Sequence, residues 1–205
     1  MLRHFIEVAY KGTKYSGFQV QDNGITIQSE VESALKIKFG QPFQLTGASR
    51  TDAGVHALQN YFHFDTELGL FSPKDSVEKN IQKVLYSLNS ILPEDIVIKK
   101  IVEVPEKKHS RFDAVSREYK YYICRKKNPF YKDTAFFYPY AIDFEKLQEA
   151  ATIILNTKNF ASFSKKNTQV NNFICSIPTA CLSSPSLAFM ASISGFNNFI
   201  FAPLR

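Results

Sequence analysis

Gly47-Ala48-Ser49-Arg50-Thr51-Asp52-Ala53-Gly54-Val55-His56-Ala57 places a base, a hydroxyl and one carboxylate among small residues, immediately before a strand-like alternation. Small residues let a backbone turn tightly and let another molecule come close. Asp52 is thereby a lone acid on a bend, with Arg50 two residues before it. Taken alone, the segment also reads as an ordinary turn closed by an aspartate side chain. Downstream, Leu58, Asn60, Phe62 and Phe64 alternate with Gln59, Tyr61, His63 and Asp65, so the bend feeds a strand.

The flanking sequence extends the pattern on both sides. Leu2 to Ala9 alternates as a strand, and Lys11 to Gly24 is a loop rich in Gly, Ser and Asn. Thr26 is placed to cap a helix with Ile27, Val31, Ala34 and Leu35 on one face, closed by Gly40. Ser72-Pro73 is expected to start a second helix, with Val77, Ile81, Val84, Leu85 and Leu88 spaced for burial. With a short strand leading into the Gly47–Ala57 bend, a strand over Ile96–Val104 completes a β-α-β-β-α-β order. In the second half, Arg117 to Cys124 reads as a strand carrying Arg117, Tyr119, Tyr121 and Ile123 on one face. Asp143 is expected to cap a helix buried along Phe144, Leu147, Ala150, Ala151 and Ile154. The class is α+β, divided into halves over 1–104 and 105–205.

A chain of 205 residues, 44% hydrophobic and 21% charged, has the composition of a globular protein with a sizeable core. Cys124, Cys175 and Cys181 have neither zinc-like spacing nor the pairing of a disulfide framework, which suits a reducing cytosol. No early apolar run has the form of a signal peptide and no stretch is long and apolar enough to span a membrane, so the expectation is a cytoplasmic protein. The net charge is +6, and the window Lys99–Lys132 carries it, with eleven Lys or Arg against four Asp or Glu. Phe112, Tyr119, Tyr121, Tyr122, Phe130 and Tyr131 are interleaved with those charges. Basic groups suit a phosphate backbone and aromatic faces stack on unpaired bases; the alternative is a solvated basic face with the rings packed inward.

The Gly47–Ala57 segment resembles the Gly-Arg-Thr-Asp-Ala-Gly-Val-His-Ala signature of the tRNA pseudouridine synthase A family, with Ser49 where that signature has glycine. Three further stretches match the family in order. Tyr10-Lys11-Gly12-Thr13-Lys14-Tyr15-Ser16-Gly17-Phe18-Gln19-Val20-Gln21, followed by Thr26-Ile27-Gln28, is similar to its N-terminal motif. Asn89-Ser90-Ile91-Leu92-Pro93-Glu94-Asp95-Ile96 is similar to its Asn-x-x-Leu-Pro-x-Asp-Ile segment. Arg111-Phe112-Asp113-Ala114 with Arg117-Glu118-Tyr119-Lys120-Tyr121 is similar to its Arg-Phe-x-Ala and Arg-x-Tyr-x-Tyr strand. A weaker similarity runs through Asn159–Ser164.

The resemblance implies a pseudouridine synthase fold: two mostly antiparallel, ferredoxin-like sheet-and-helix halves around a central basic cleft. It implies tRNA as partner and substrate, uridines of the anticodon stem-loop as targets, and a homodimer. The reaction breaks the bond from N1 of uracil to C1′ of ribose, turns the base and rejoins it through C5. With no redox change and no net hydrolysis, it calls for no cofactor and no metal. Asp52 matches the catalytic aspartate, as nucleophile or as base; the sequence leaves both open. Arg50 matches the arginine that enters the RNA as the target base leaves its stack. Tyr119 matches the tyrosine that stacks on the uracil, and Thr51 and His56 complete the expected substrate-binding set. Lys11, Lys14, Arg111, Lys126 and Lys127 are the expected RNA-backbone contacts, with Tyr15 and Gln19 as further candidates in the N-terminal loop.

The tail departs from the family. No Lys, Arg, Asp or Glu occurs from Asn167 to Leu204. Ile193-Ser194-Gly195-Phe196 is similar to the start of the last family motif, yet the arginine that should keep the catalytic carboxylate charged aligns with Ala202. The C-terminal half is therefore expected to be incomplete. An impaired tRNA-binding homologue and a truncated synthase stand beside the enzyme as alternatives.

Overall fold

The computed structural model describes residues 1–22, 24–67, 77–163, 176–183 and 187–194. Two compact units, Met1–Asp113 and Ala114–Arg205, make up the chain.

In the first unit, β1 (Leu2–Tyr10), β2 (Thr46–Gly47), β3 (Ala57–Thr66) and β4 (Ile96–Val104) form an antiparallel sheet in the order β2-β3-β1-β4. Helices α1 (Ile27–Phe39) and α2 (Val77–Ile91) interleave with the strands, giving β-α-β-β-α-β. The alternation puts His4, Ile6, Val8 and Tyr10 of β1 on the buried face, with Ile6 opposite Phe62 and His4 opposite Phe64. Ile27, Val31, Ala34 and Leu35 of α1 and Val84, Leu85 and Leu88 of α2 join Ile6, Val8, Phe62 and Phe64 in one core. The expected start of α2 at Ser72-Pro73 lies outside the described residues.

The ends of α1 follow from their residue types. The Thr26 hydroxyl accepts from the Ser29 N–H at 3.1 Å and the Ser29 hydroxyl accepts from the Thr26 N–H at 3.0 Å, a capping box. Gly40 closes the helix at φ 72°, with its N–H donating to the Lys36 carbonyl. A bulge in β4 is decisive for the other edge. Val8 pairs with Ile98 and Glu7 with Lys100, so Lys99 is extra and Ile98 and Ile101 both face the core. The Lys99 ammonium donates to the Leu58 carbonyl at 2.7 Å, across the mouth of β3.

The segment after β4 folds back on the first sheet. Arg3 holds Asp65 through two hydrogen bonds of 2.7 Å and donates to the Lys108 carbonyl at 2.8 Å. Ser110 donates its N–H to Nδ1 of His63 and its hydroxyl to the Thr46 carbonyl.

In the second unit, β5 (Ser116–Cys124), β6 (Phe136–Phe137), β7 (Ser176–Ser183) and β8 (Leu187–Ser194) form a sheet in the order β6-β5-β8-β7, antiparallel except for the β5–β6 pair. Helix α3 (Phe144–Asn156) starts at Asp143, whose carboxylate accepts from the Lys146 N–H at 3.1 Å. Its buried stripe is narrower than the periodicity suggests. Ala151 is buried and Leu147 and Ile154 are half-buried, whereas Phe144 and Ala150 are exposed. The fold is α+β, as expected.

Candidate active site

The bend opens β3 and is supported from beneath by the N-terminal loop. Asp52 and Val55 close a four-residue turn, the Val55 N–H donating to the Asp52 carbonyl at 3.2 Å. Gly54, third in that turn, has φ 81°, a value that a residue with a Cβ rarely adopts. Within this turn Asp52 is half-buried, and Arg50 just before it is exposed.

Three contacts hold the bend on either side of Asp52. The Phe18 N–H donates to the Thr51 carbonyl at 3.0 Å. The Gly12 N–H donates to Nδ1 of His56 at 2.9 Å, so the neutral ring of His56 carries its proton on Nε2. The Ala48 N–H donates to the Tyr61 carbonyl at 2.8 Å and ties the start of the bend to β3.

Close packing explains why Gly12 and Gly47 have no side chain. A Cβ on Gly12 would lie 2.0 Å from the Val55 carbonyl oxygen, and one on Gly47 would lie 2.4 Å from Cε1 of Phe18. Phe18 is fully buried and stacks on Phe62 with centroids 4.4 Å apart and an angle of 8°. Burial of such a ring contributes roughly 2–3 kcal/mol. The N-terminal loop is thus fastened to the sheet and to the bend by one aromatic side chain.

Side chains outside the expected set complete the support. Oη of the buried Tyr10 lies 2.9 Å from Oγ1 of Thr51 and accepts from Nδ2 of the buried Asn60 at 3.2 Å. Oδ1 of Asn60 accepts from the Ser49 hydroxyl at 3.2 Å, so the two residues flanking Arg50 are both tethered. Asn60 stands at a core position of an alternating strand, and a polar residue there is the signal that could have marked it.

The structure sorts the expected residues. Arg50, Thr51, Asp52 and His56 share the bend, and Lys11 and Lys14 lie exposed on the loop beneath it. Lys14 forms an ion pair of 3.2 Å with Asp95. Tyr15, a candidate RNA contact by sequence, is instead 7% exposed, with its hydroxyl donated to Oδ1 of Asp95. Gln19 is exposed, and Arg111 lies 5.8 Å over the Phe112 ring, on the segment that follows β4. In the second unit, Tyr119 is half-buried on the face of β5 that also carries Arg117 and Tyr121, while Lys126 and Lys127 are exposed. Burial lowers Arg117 from its ordinary value and raises the Tyr119 phenol, each partly offset by the other's charge.

Among the described residues, no group of three or more His, Cys, Asp and Glu is placed to hold a metal ion. Among the same residues no helix is long and apolar enough to cross a membrane.

An α+β chain with a carboxylate and an arginine on a glycine-bounded bend matches a known class. A family model described as tRNA pseudouridine synthase matches residues 6–113, the span of the first unit, and the chain belongs to that family of isomerases. More particularly, it is 42% identical over 180 residues to the tRNA pseudouridine synthase A of Parabacteroides distasonis, covering 88% of this chain and 68% of that protein. It is 42% identical over 175 residues to the protein of that name from Bacteroides fragilis, covering 85% and 66%. With the Staphylococcus aureus N315 protein of that name the identity is 35% over 173 residues, covering 83% and 61%.

Proposed function

We propose that this chain isomerises uridine to pseudouridine in the anticodon stem-loop of tRNA, with Asp52 as the reacting carboxylate. The observation that carries the reading is the bend itself. The bend is hydrogen-bonded on both sides of Asp52, through the Thr51 carbonyl and the His56 ring, while Asp52 is half-buried and Arg50 is exposed. A carboxylate carried on a fixed bend needs less reorganisation when charge develops at the sugar.

Atoms balance without water or oxidant. The N1–C1′ bond breaks, the base turns, C5 bonds to C1′, the proton on C5 is lost and N1 ends protonated. Asp52 serves as nucleophile toward the sugar or base, or as the base that removes a sugar proton. Extrusion of the uridine costs a few kcal/mol, and the planar guanidinium of Arg50 fills the vacated stack. Thr51, held by Tyr10, and His56, held by Gly12, frame the approach to Asp52. Tyr119 stacks on the uracil, and Lys11, Lys14, Arg111, Lys126 and Lys127 line the phosphate path. The working form is a cytoplasmic homodimer that needs no cofactor and no metal.

A second reading has one observation in its favour. Ala202 stands where the family motif has its arginine, which favours tRNA binding without isomerisation. Chemical detection of pseudouridine in tRNA treated with the purified protein, beside Asp52→Asn, separates the two. Binding without product supports the second reading.

A further inference from the structure

The Asn89–Ile96 motif takes no part in the chemistry described above, yet its aspartate meets the N-terminal loop at three points. Asp95 receives the Lys11 N–H on its backbone carbonyl at 2.8 Å. Its Oδ1 accepts from the Tyr15 hydroxyl, and its Oδ2 pairs with the Lys14 ammonium at 3.2 Å. The carboxylate is 10% exposed, and Tyr15 is 7% exposed. Burial acts to raise the Asp95 carboxyl, but the hydrogen bonds from Tyr15 and Lys14 outweigh it and hold it below the usual carboxylate range.

The residues that Asp95 grips, Lys11, Lys14 and Tyr15, flank Gly12 and directly precede Gly17 and Phe18, the loop's contacts with the bend. Between Lys11 and Phe18 lie Gly12, bonded to His56, and Gly17, whose Cβ position would be 3.0 Å from the Thr51 carbonyl oxygen. Phe18 bonds that same carbonyl. Asp95 itself is held at the entrance to β4, where Asn89 bonds both the N–H and the carbonyl of Ile98. A continuous path therefore runs from the α2–β4 connection, through the N-terminal loop, to both sides of Asp52.

We propose that Asp95 is a positioning residue for the Asp52 bend, acting through the Lys11–Phe18 loop; this rests on Asp52 being the reacting carboxylate. A displacement of about 1 Å at a reacting group costs about 10²-fold in rate, so a loosened loop shows in the chemical step. Of the basic residues assigned to the phosphate path, Asp95 pairs with the side chain of Lys14 alone, so its loss bears on at most one phosphate contact.

The test uses the full chain and its Asp95→Ala, Asp95→Asn and Glu94→Gln variants. Single-turnover conversion of unmodified tRNA should fall at least about tenfold in Asp95→Ala, with the tRNA Kd within about twofold. Asp95→Asn keeps an acceptor for Tyr15 but not the charge opposite Lys14, and should fall between; it replaces Asp95→Ala if that variant does not fold. Glu94→Gln is the surface control. Amide hydrogen exchange without RNA is the activity-independent arm: Gly12 and Phe18 should exchange at least about tenfold faster, and Ile6 in β1 should not change. Parental exchange at Gly12 and Phe18 would overturn the proposal, as would a parental single-turnover rate. A uniform loss of rate, tRNA affinity and Ile6 protection would overturn it in favour of a general structural role. If the parent makes no pseudouridine, the isomerase reading fails by itself and the exchange arm decides the role of Asp95.

Discussion

Oη of Tyr10 lies 2.9 Å from Oγ1 of Thr51, and the same oxygen accepts a hydrogen bond from Asn60. A phenol at the end of β1 thus ties the last turn of the sheet to the residue before Asp52. Neither group is near the surface: Tyr10 and Asn60 are each 5% exposed.

Tyr10→Phe removes that oxygen and leaves Asn60 Nδ2 without its Tyr10 acceptor. Loss of a buried hydrogen-bond partner costs about 1–3 kcal/mol, read as a shift in the denaturation midpoint. With Thr51 released, kcat should fall more than KM rises. An unchanged kcat would separate Tyr10 from the site.

Gly12→Ala puts a methyl 2.0 Å from the Val55 carbonyl oxygen, where only backbone movement can relieve it. Such overpacking costs about 1–3 kcal/mol, and here the movement displaces the bend. Both thermal stability and turnover should drop. Gly40→Ala is the comparison: its Cβ meets nothing within 4 Å, so the strain at φ 72° acts on stability without reaching Asp52.

His63 is the main source of pH dependence; burial lowers His4 and His109 as well. Its pKa is pushed down to about 4, first by burial and then by the charges of His109 and Arg3. The unfolded value is 6.5, so the unfolded chain binds more protons between these limits. Stability is full above about pH 6.5 and declines toward pH 4, by an upper bound of about 3 kcal/mol. Protonated Nδ1 can no longer accept from the Ser110 N–H, which removes one of the bonds that hold the segment folded back after β4. Urea titrations at pH 7 and pH 5 should differ in the parent, and His63→Phe should reduce the difference.

The positive charge between Lys99 and Lys132 should make tRNA binding salt-dependent. Each phosphate contact contributes about 0.7–0.9 to the slope of log K against log salt. Replacing Lys126 and Lys127 together by alanine should lower that slope by about 1.5, similarly for any tRNA. A flat salt response in the parent would remove these lysines from the RNA path.

Local chemistry was the part of the fold legible in the sequence. Thr26, Gly40 and Asp143 mark helix ends because their side chains, or the lack of one, act within one turn. β3 is legible because Asn60, Phe62, Phe64 and Thr66 alternate onto one buried face, although Leu58 at its start is exposed and His63 on the other face is buried. The Lys99 bulge is not, since an extra residue in β4 shows only against its partner β1. α3 misleads for a related reason: Phe144 and Ala150 keep the helical period, and burial depends on what the rest of the chain places against them.

The site divides in the same way. Asp52, Arg50 and the glycine of their turn stand together in one segment and are read directly. Tyr10, Asn60 and Asp95 contribute across sequence separations of 41, 11 and 80 residues, to Thr51, Ser49 and Tyr15 respectively. Tyr15 stands in a polar loop that makes it a candidate RNA contact by sequence, and its inward bond to a carboxylate 80 residues away shows only in the fold.

The most direct measurement is the yield of pseudouridine in unmodified tRNA after incubation with the parent and with Asp52→Asn, each at saturating protein and with tRNA binding measured alongside. The expected result is conversion by the parent, a fall of about 10⁴-fold or more in Asp52→Asn, and equal tRNA affinity in both. Conversion by Asp52→Asn at the parental rate would contradict the assignment of Asp52; binding without conversion by the parent would contradict the isomerase itself.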